Sequence, residues 1–203
     1  MNKDSNPLEI IKYYDFPAII HAVLDINEFE KHIPKLVEIL KYLGHDELII
    51  HPICESEEIT PKTIYKLSYK VRIALYELEK ESITLYLENN SRIDPIFNEL
   101  NDIEIMFQQN PKLEFLLDVA HIDNYEHFES MIKIKAPKIL HIADRHLEIA
   151  HEHLPIGQGN IDYKHVFTNI LNKFDGKIVL EIVQSLEDII DSRNKIEKYC
   201  KIQ

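Results

Sequence analysis

The sequence predicts an α/β fold of parallel strands joined by helices, and three observations predict it. Short apolar runs alternate six times with longer amphipathic segments, turn residues stand where each pattern stops, and no linker or change of composition interrupts the series over 203 residues. The first strand-like run is Ala18-Ile19-Ile20. Phe29, Ile33, Leu36, Val37, Leu40 and Leu43 then share one face of a helix, which Gly44 stops. Leu48-Ile49-Ile50 is a second strand, bounded by His51-Pro52. Thr60 caps and Pro61 opens a helix whose apolar face is Ile64, Leu67, Val71, Leu75 and Leu78.

A strand follows at Ile83 to Leu87, and Asp94-Pro95 opens a weaker helical segment that ends by Asn110-Pro111. Leu113 to Leu117 reads as strand, Asn124 to Ile134 as helix and Lys138 to Ile142 as strand. Gly157 and Gly159 punctuate a loop before a helix at Tyr163 to Phe174, and Gly176 precedes the last strand, Lys177 to Ile182. Ser185, with Asp188 three residues on, caps the final helix in a capping-box pattern. One domain over residues 1–203 is expected from the length. The alternation does not by itself separate a barrel from an open sheet.

Composition narrows the function. With 45% hydrophobic and 29% charged residues the chain is an ordinary globular one. No apolar run approaches the roughly 18 to 20 residues of a membrane span, and the start lacks a signal-type apolar region, so a cytoplasmic protein without membrane contact is expected. Cys54 and Cys200 form no motif and are expected as free thiols. The 35 Asp+Glu against 23 Lys+Arg give a net charge of −12, which argues against a nucleic-acid partner and favours a small molecule or a metal.

The polar residues at the strand ends carry the chemistry. His21, His51, Glu88, Asp118, His141 and Glu181 each follow directly on a strand-like run, although Asp+Glu and His number only 35 and 11 in 203 residues. A single histidine after a strand is more often a hydrogen-bonded loop residue; six of six is not explained that way. Parallel barrel strands deliver their C-terminal ends to one rim, where active sites form. Asp118-x-x-His121 and His151-x-His153 add further ligand types. One divalent ion needs about four such groups, so nine suggest two or three ions with bridging carboxylates. His32, His45, His127, His146 and His165 fall away from these ends and are expected at the surface.

These residues resemble the xylose-isomerase-like TIM-barrel superfamily, which holds sugar and sugar-phosphate isomerases and epimerases together with the type IV apurinic endonucleases. The likeness runs from about Phe16 to Ile182 and is most specific at Leu117-Asp118-Val119-Ala120-His121, at Leu140-His141-Ile142-Ala143-Asp144, and at His153 to Asp162, which looks like the family's His-x-x-(Leu/Ile)-Gly-x-Gly segment. It implies a metal site on Glu88, Asp118, His141 and Glu181 with His121 touching substrate. Glu88 and Glu181, on opposite walls, would remove and return a proton beside a carbonyl. Arg145, a few residues past a strand end, is a candidate substrate anion contact, as is Arg92.

The endonuclease likeness instead implies three zinc ions on His21, His51, Glu88, Asp118, His121, His141, His151, His153 and Glu181. It departs at His151, where those enzymes carry an aspartate, and the sequence has no basic loop cluster for DNA. The expected function is therefore a metal-dependent sugar or sugar-phosphate isomerase or epimerase, using one to three Mn, Mg or Zn ions and a carbohydrate substrate. An endonuclease-like phosphodiesterase and an inactive metal-binding member are the alternatives. The resemblance also implies an abbreviated TIM barrel of about six to seven strands. Residues 1–15 are expected as an N-terminal extension too short to replace a first βα unit, which is expected to be missing, and a second copy of the chain is one way to cover the open edges.

Overall fold

The computed structural model describes residues 6–94 and 96–200, and local chemistry sets several of its helix ends. Helix α1 (Pro7–Tyr14) forms within the expected N-terminal extension: Asn6 caps it, Pro7 supplies the first helical φ, and none of its residues is buried. Helix α2 (Phe29–Leu43) ends at Gly44, whose φ of 78° closes the last turn in the left-handed region. Helix α3 (Pro61–Glu79) starts with a reciprocal Thr60–Thr63 capping box. Asn124 caps α5 (Tyr125–Ile134) through His127 N. Ser185 and Asp188 exchange backbone and side-chain hydrogen bonds ahead of α7 (Leu186–Cys200).

Six strands alternate with these helices: β1 (Ile20–Asp25), β2 (Glu47–Ile53), β3 (Thr84–Glu88), β4 (Glu114–Asp118), β5 (Ile139–Ile142) and β6 (Lys177–Leu180). The chain divides into two compact units, one of Met1–Leu87 with Ile105–Glu114, the other of Glu88–Glu104 with Phe115–Gln203. In the first, β1, β2 and β3 pair in parallel in chain order, with Ile20 opposite Leu48 and Ile49 opposite Tyr86. In the second, β4, β5 and β6 do the same, with Leu117 opposite Leu140 and His141 opposite Val179. Parallel pairing with a helical crossover is the repeating element of a (β/α) barrel, of which six strands occur among the described residues.

The buried faces follow from the same logic. Leu48, Ile49 and Ile50 of β2 are buried in succession, the signature of a parallel strand covered on both faces, and Leu40, Leu67, Val71 and Leu78 of the helices are buried as well. By contrast β1 alternates, leaving His21 and Val23 exposed. In the second unit Phe97 and Phe115 meet edge-on with ring centroids 6.2 Å apart, and Leu116, Leu117, Phe128, Ile139, Leu140 and Phe167 complete the core.

Three expectations change. The segment opened by Asp94-Pro95 becomes helical only at Leu100, in α4 (Leu100–Gln109); Pro95 lies outside the described residues, and Phe97 takes a φ of 61°, which no helix accommodates. The helix of Tyr163 to Phe174 is one α-turn, α6 (Tyr163–His165), continued by a π-turn over Val166–Ile170. Strand β1 begins later than Ala18 and runs to Asp25, because its register with β2 carries pairing through Asp25 opposite Ile53. His21 is thus the second residue of a strand, and His51 likewise lies inside β2.

Candidate metal centre

Four residues of the second unit converge. Glu88 and Asp118 are the last residues of β3 and β4, His141 is the third of β5, and Glu181 follows β6 directly. Ligand atoms of all four lie within 4.8 Å of one another. His141 Nδ1 donates to Glu88 Oε1 at 2.9 Å and stands 3.2 Å from Glu181 Oε2. The two glutamates expected on opposite walls therefore meet at one nitrogen. Glu88, Asp118 and His141 are buried, whereas the Glu181 side chain is 31% exposed.

Three carboxylates packed around one imidazole repel each other in a medium that screens poorly. Burial, then the charges of Glu88 and Glu181, push the Asp118 carboxyl well above its usual range. Burial alone would depress His141, but Glu181 and Glu88 outweigh it and push its pKa up to about 10. Burial works against ionisation of Glu181 too, yet His141 brings it down to about 2. The imidazolium proton thus holds the place of a cation. Asp118 supplies a further sign: its Oδ2 is buried with no hydrogen bond, at 3.4 Å from His121 Nδ1. Three carboxylates, one imidazole and a buried oxygen without a donor suit a divalent cation.

A second group adjoins the first through these same residues. Ligand nitrogens of His121, His151 and His153 also lie within 4.8 Å of one another. The His121 and His151 rings stack with centroids 5.0 Å apart, and His153 meets both edge-on. His153 Nδ1 lies 3.2 Å from the Glu181 carbonyl, and burial lowers the ring's pKa despite the Glu181 charge beside it, which favours the neutral form that a ligand needs. His151 has a φ of 64°, the left-handed region where non-glycine residues are uncommon and cluster at sites.

Asn89 has no counterpart among the expected site residues. Its Oδ1 accepts from Asp118 N at 2.8 Å, its amide donates to Asp118 O at 3.3 Å, and its own carbonyl accepts from His121 Nδ1 at 2.9 Å. It replaces a rung of backbone pairing beyond β3 and fixes the His121 tautomer with the lone pair on Nε2. The buried run Glu88-Asn89-Asn90-Ser91, four polar residues directly after an apolar strand, is the signal that marks it.

Arg145 does not take the substrate role expected of it. It is 1% exposed, and its guanidinium donates to the carbonyls of Ile122, Leu147 and Ile149. The folding of its loop around it, not distance along the chain, decides where so long a side chain ends. Arg92 likewise donates to Glu148 O at 2.9 Å. His32, His45, His127, His146 and His165 are half-buried and not freely exposed; His127 reaches the Asn98 carbonyl and His45 that of Phe16. His21 and His51 belong to the first unit, on adjacent strands, with ring centroids 6.3 Å apart.

Comparison with known proteins agrees with this architecture. A search of curated proteins finds no match. Among solved structures, a D-tagatose 3-epimerase-like protein superposes with a TM-score of 0.70 at 20% identity, over 96% of this chain and 81% of that one. The TTHB071 protein from Thermus thermophilus, soaked with ZnCl2, gives 0.76 at 15% identity over 99% and 85%. The 3-keto-D-glucoside 4-epimerase YcjR from E. coli gives 0.66 at 17% identity over 96% and 82%. At these identities the likeness shows the fold. The family model of xylose isomerase-like TIM barrels matches residues 23–199, most of the sequence, and the chain belongs to that family.

Proposed function

We propose that this chain is a metal-dependent sugar or sugar-phosphate isomerase or epimerase that removes a proton next to a carbonyl. The observation that carries the reading is the convergence of Glu88, Asp118, His141 and Glu181. The epimerases among the structural relatives support it. These four residues would hold a divalent ion, which would supply a Lewis acid for carbonyl and hydroxyl oxygens and offset the negative charge that grows as a C–H bond breaks.

The side chains provide the proton chemistry. Glu181 is ionised at neutral pH and is the most exposed of the four, so its carboxylate is the one placed to take a carbon-bound proton. Glu88 is the second carboxylate of the pair, held in one orientation by His141. Return of the proton to the adjacent carbon is isomerisation; return of a proton to the opposite face of the same carbon is epimerisation. His121, oriented by Asn89, lines the approach and hydrogen-bonds substrate hydroxyls.

Incubation with a panel of keto sugars in D2O, with Mn, Mg, Zn or Co added, tests this. Deuterium is expected at the carbon next to the carbonyl of at least one sugar. No incorporation into any of them with any metal would sink the reading.

The three-histidine group favours a second reading, an endonuclease-like phosphodiesterase with additional zinc. Chelator-sensitive cutting of a duplex with one abasic site is its test. Elemental analysis separates the two: one Mn or Mg per chain supports the first, three zinc ions the second.

A further inference from the structure

His151 and His153 sit on an irregular segment between β5 and α6, yet a ligand group must hold its atoms to a few tenths of an ångström. One residue organises that segment. Asp144 is 1% exposed, and its carboxylate takes three backbone N–H groups: Arg145 at 2.9 Å and Ile161 at 3.2 Å on Oδ1, Gly157 at 2.7 Å on Oδ2. Its own backbone exchanges two hydrogen bonds with Leu154, at 2.8 and 2.7 Å. Positions 145, 154, 157 and 161 are thereby tied to one residue, and His153 immediately precedes one of these ties.

The rest of the loop conforms to that clamp. Asn160 N donates to the Arg145 carbonyl at 2.9 Å, and a Cβ on Gly159 would fall 2.3 Å from the same oxygen, so only glycine permits the approach. Arg145 fills the loop from within and ties it to the Ile122 carbonyl, next to His121. Ser192 Oγ accepts Ile156 N at 3.0 Å from α7. A carboxylate is buried at a cost unless several donors satisfy it. Here the three backbone donors to Asp144 all belong to the segment that carries two of the three histidines.

We propose that Asp144 is the positioning residue of the three-histidine group, holding the loop so that His151 and His153 face His121. The inference rests on the reading of that group as a metal site, and Arg145 shares the task as the loop's internal support.

The test uses the full chain stripped of metal and titrated with cobalt(II). The variant His153→Ala identifies, by its missing visible absorption, the cobalt equivalent bound by the three histidines. Asp144→Asn keeps the side-chain shape but removes the charge; it is expected to weaken that equivalent about 10- to 100-fold, the usual loss when a ligand's supporting residue is changed. The equivalent at Glu88, Asp118, His141 and Glu181 is expected to be unchanged. Hydrogen–deuterium exchange of the metal-free protein is expected to accelerate at amides 153–161 and not in β4 or β5.

Unchanged cobalt affinity, or equal weakening of both equivalents in step with a lower Tm, would overturn the proposal. Where the wild type shows no equivalent that His153→Ala removes, the metal reading of the three histidines fails. Exchange then decides separately: acceleration confined to 153–161 upholds the positioning role, and none refutes it. Should Asp144→Asn not fold, Asp144→Glu, which keeps the charge on a longer arm, carries the same readouts in the same directions.

Discussion

The two units place the same residue types on parallel strands and put them in different surroundings. In the first unit His21 stands exposed on β1, and His51 lies on the neighbouring β2 with its ring 6.3 Å away. In the second, His141 is buried against Glu88 and Glu181, with Asp118 beside them. Around His141 the fold buries carboxylates, and charges interact strongly once water is excluded. Burial of several carboxylates beside one imidazole is what makes the second unit's group a candidate cation site.

The largest expected effect sharpens that contrast at Glu181. Glu181→Gln removes the proposed base while keeping shape, and should lower deuterium incorporation about 10²- to 10⁴-fold with an unchanged circular dichroism spectrum. Retained exchange would break the assignment. Next in size, His141→Ala leaves the buried Glu88 carboxylate without this partner. Loss of about 3–5 kcal/mol of stability in the metal-free protein is expected, measured by urea unfolding.

The pH dependence of that stability is a third, smaller test. His141 holds its proton more tightly folded, up to about 10, than unfolded, near 6.5. Its contribution is therefore complete below about pH 6.5 and disappears as pH rises through about 10. Glu181 acts in the opposite direction, contributing above its unfolded value of 4.5 and losing that contribution as pH falls toward about 2. Metal-free protein should lose stability from pH 7 to pH 10, and His141→Ala should remove most of that slope. The smallest effect belongs to the first unit: His21→Ala, at an exposed position, should change stability by less than about 0.5 kcal/mol.

Legibility in the sequence follows the range of the interactions. Gly44, Thr60-Pro61 and Ser185 with Asp188 are readable because caps are made within about four residues of chain. Glu88, Asp118 and Glu181 are readable because the C-terminal end of a parallel strand has fixed chemistry. Register hides the true place of His21 and His51, since pairing with a neighbour carries β1 and β2 past the apolar runs. Asn89 and Asp144 act mainly through backbone groups elsewhere in the chain, so that even Asp144, which closes the Leu140-to-Asp144 motif, shows its partners only in the fold. Arg145 escapes a sequence reading for the same reason: its acceptors are carbonyls of its own loop and of Ile122.

By itself the sequence determined the alternation of strands and helices, most helix boundaries, the family and the residue types at the strand ends. Those depend on side-chain periodicity, on caps and on short motifs, all local. Only the tertiary structure decided that Glu88 and Glu181 meet at one nitrogen of His141, that three histidines form a separate group, and that Arg145 supports a loop. Each of these turns on burial and on distances between residues far apart in the chain, and it is burial that makes a charge strong enough to matter.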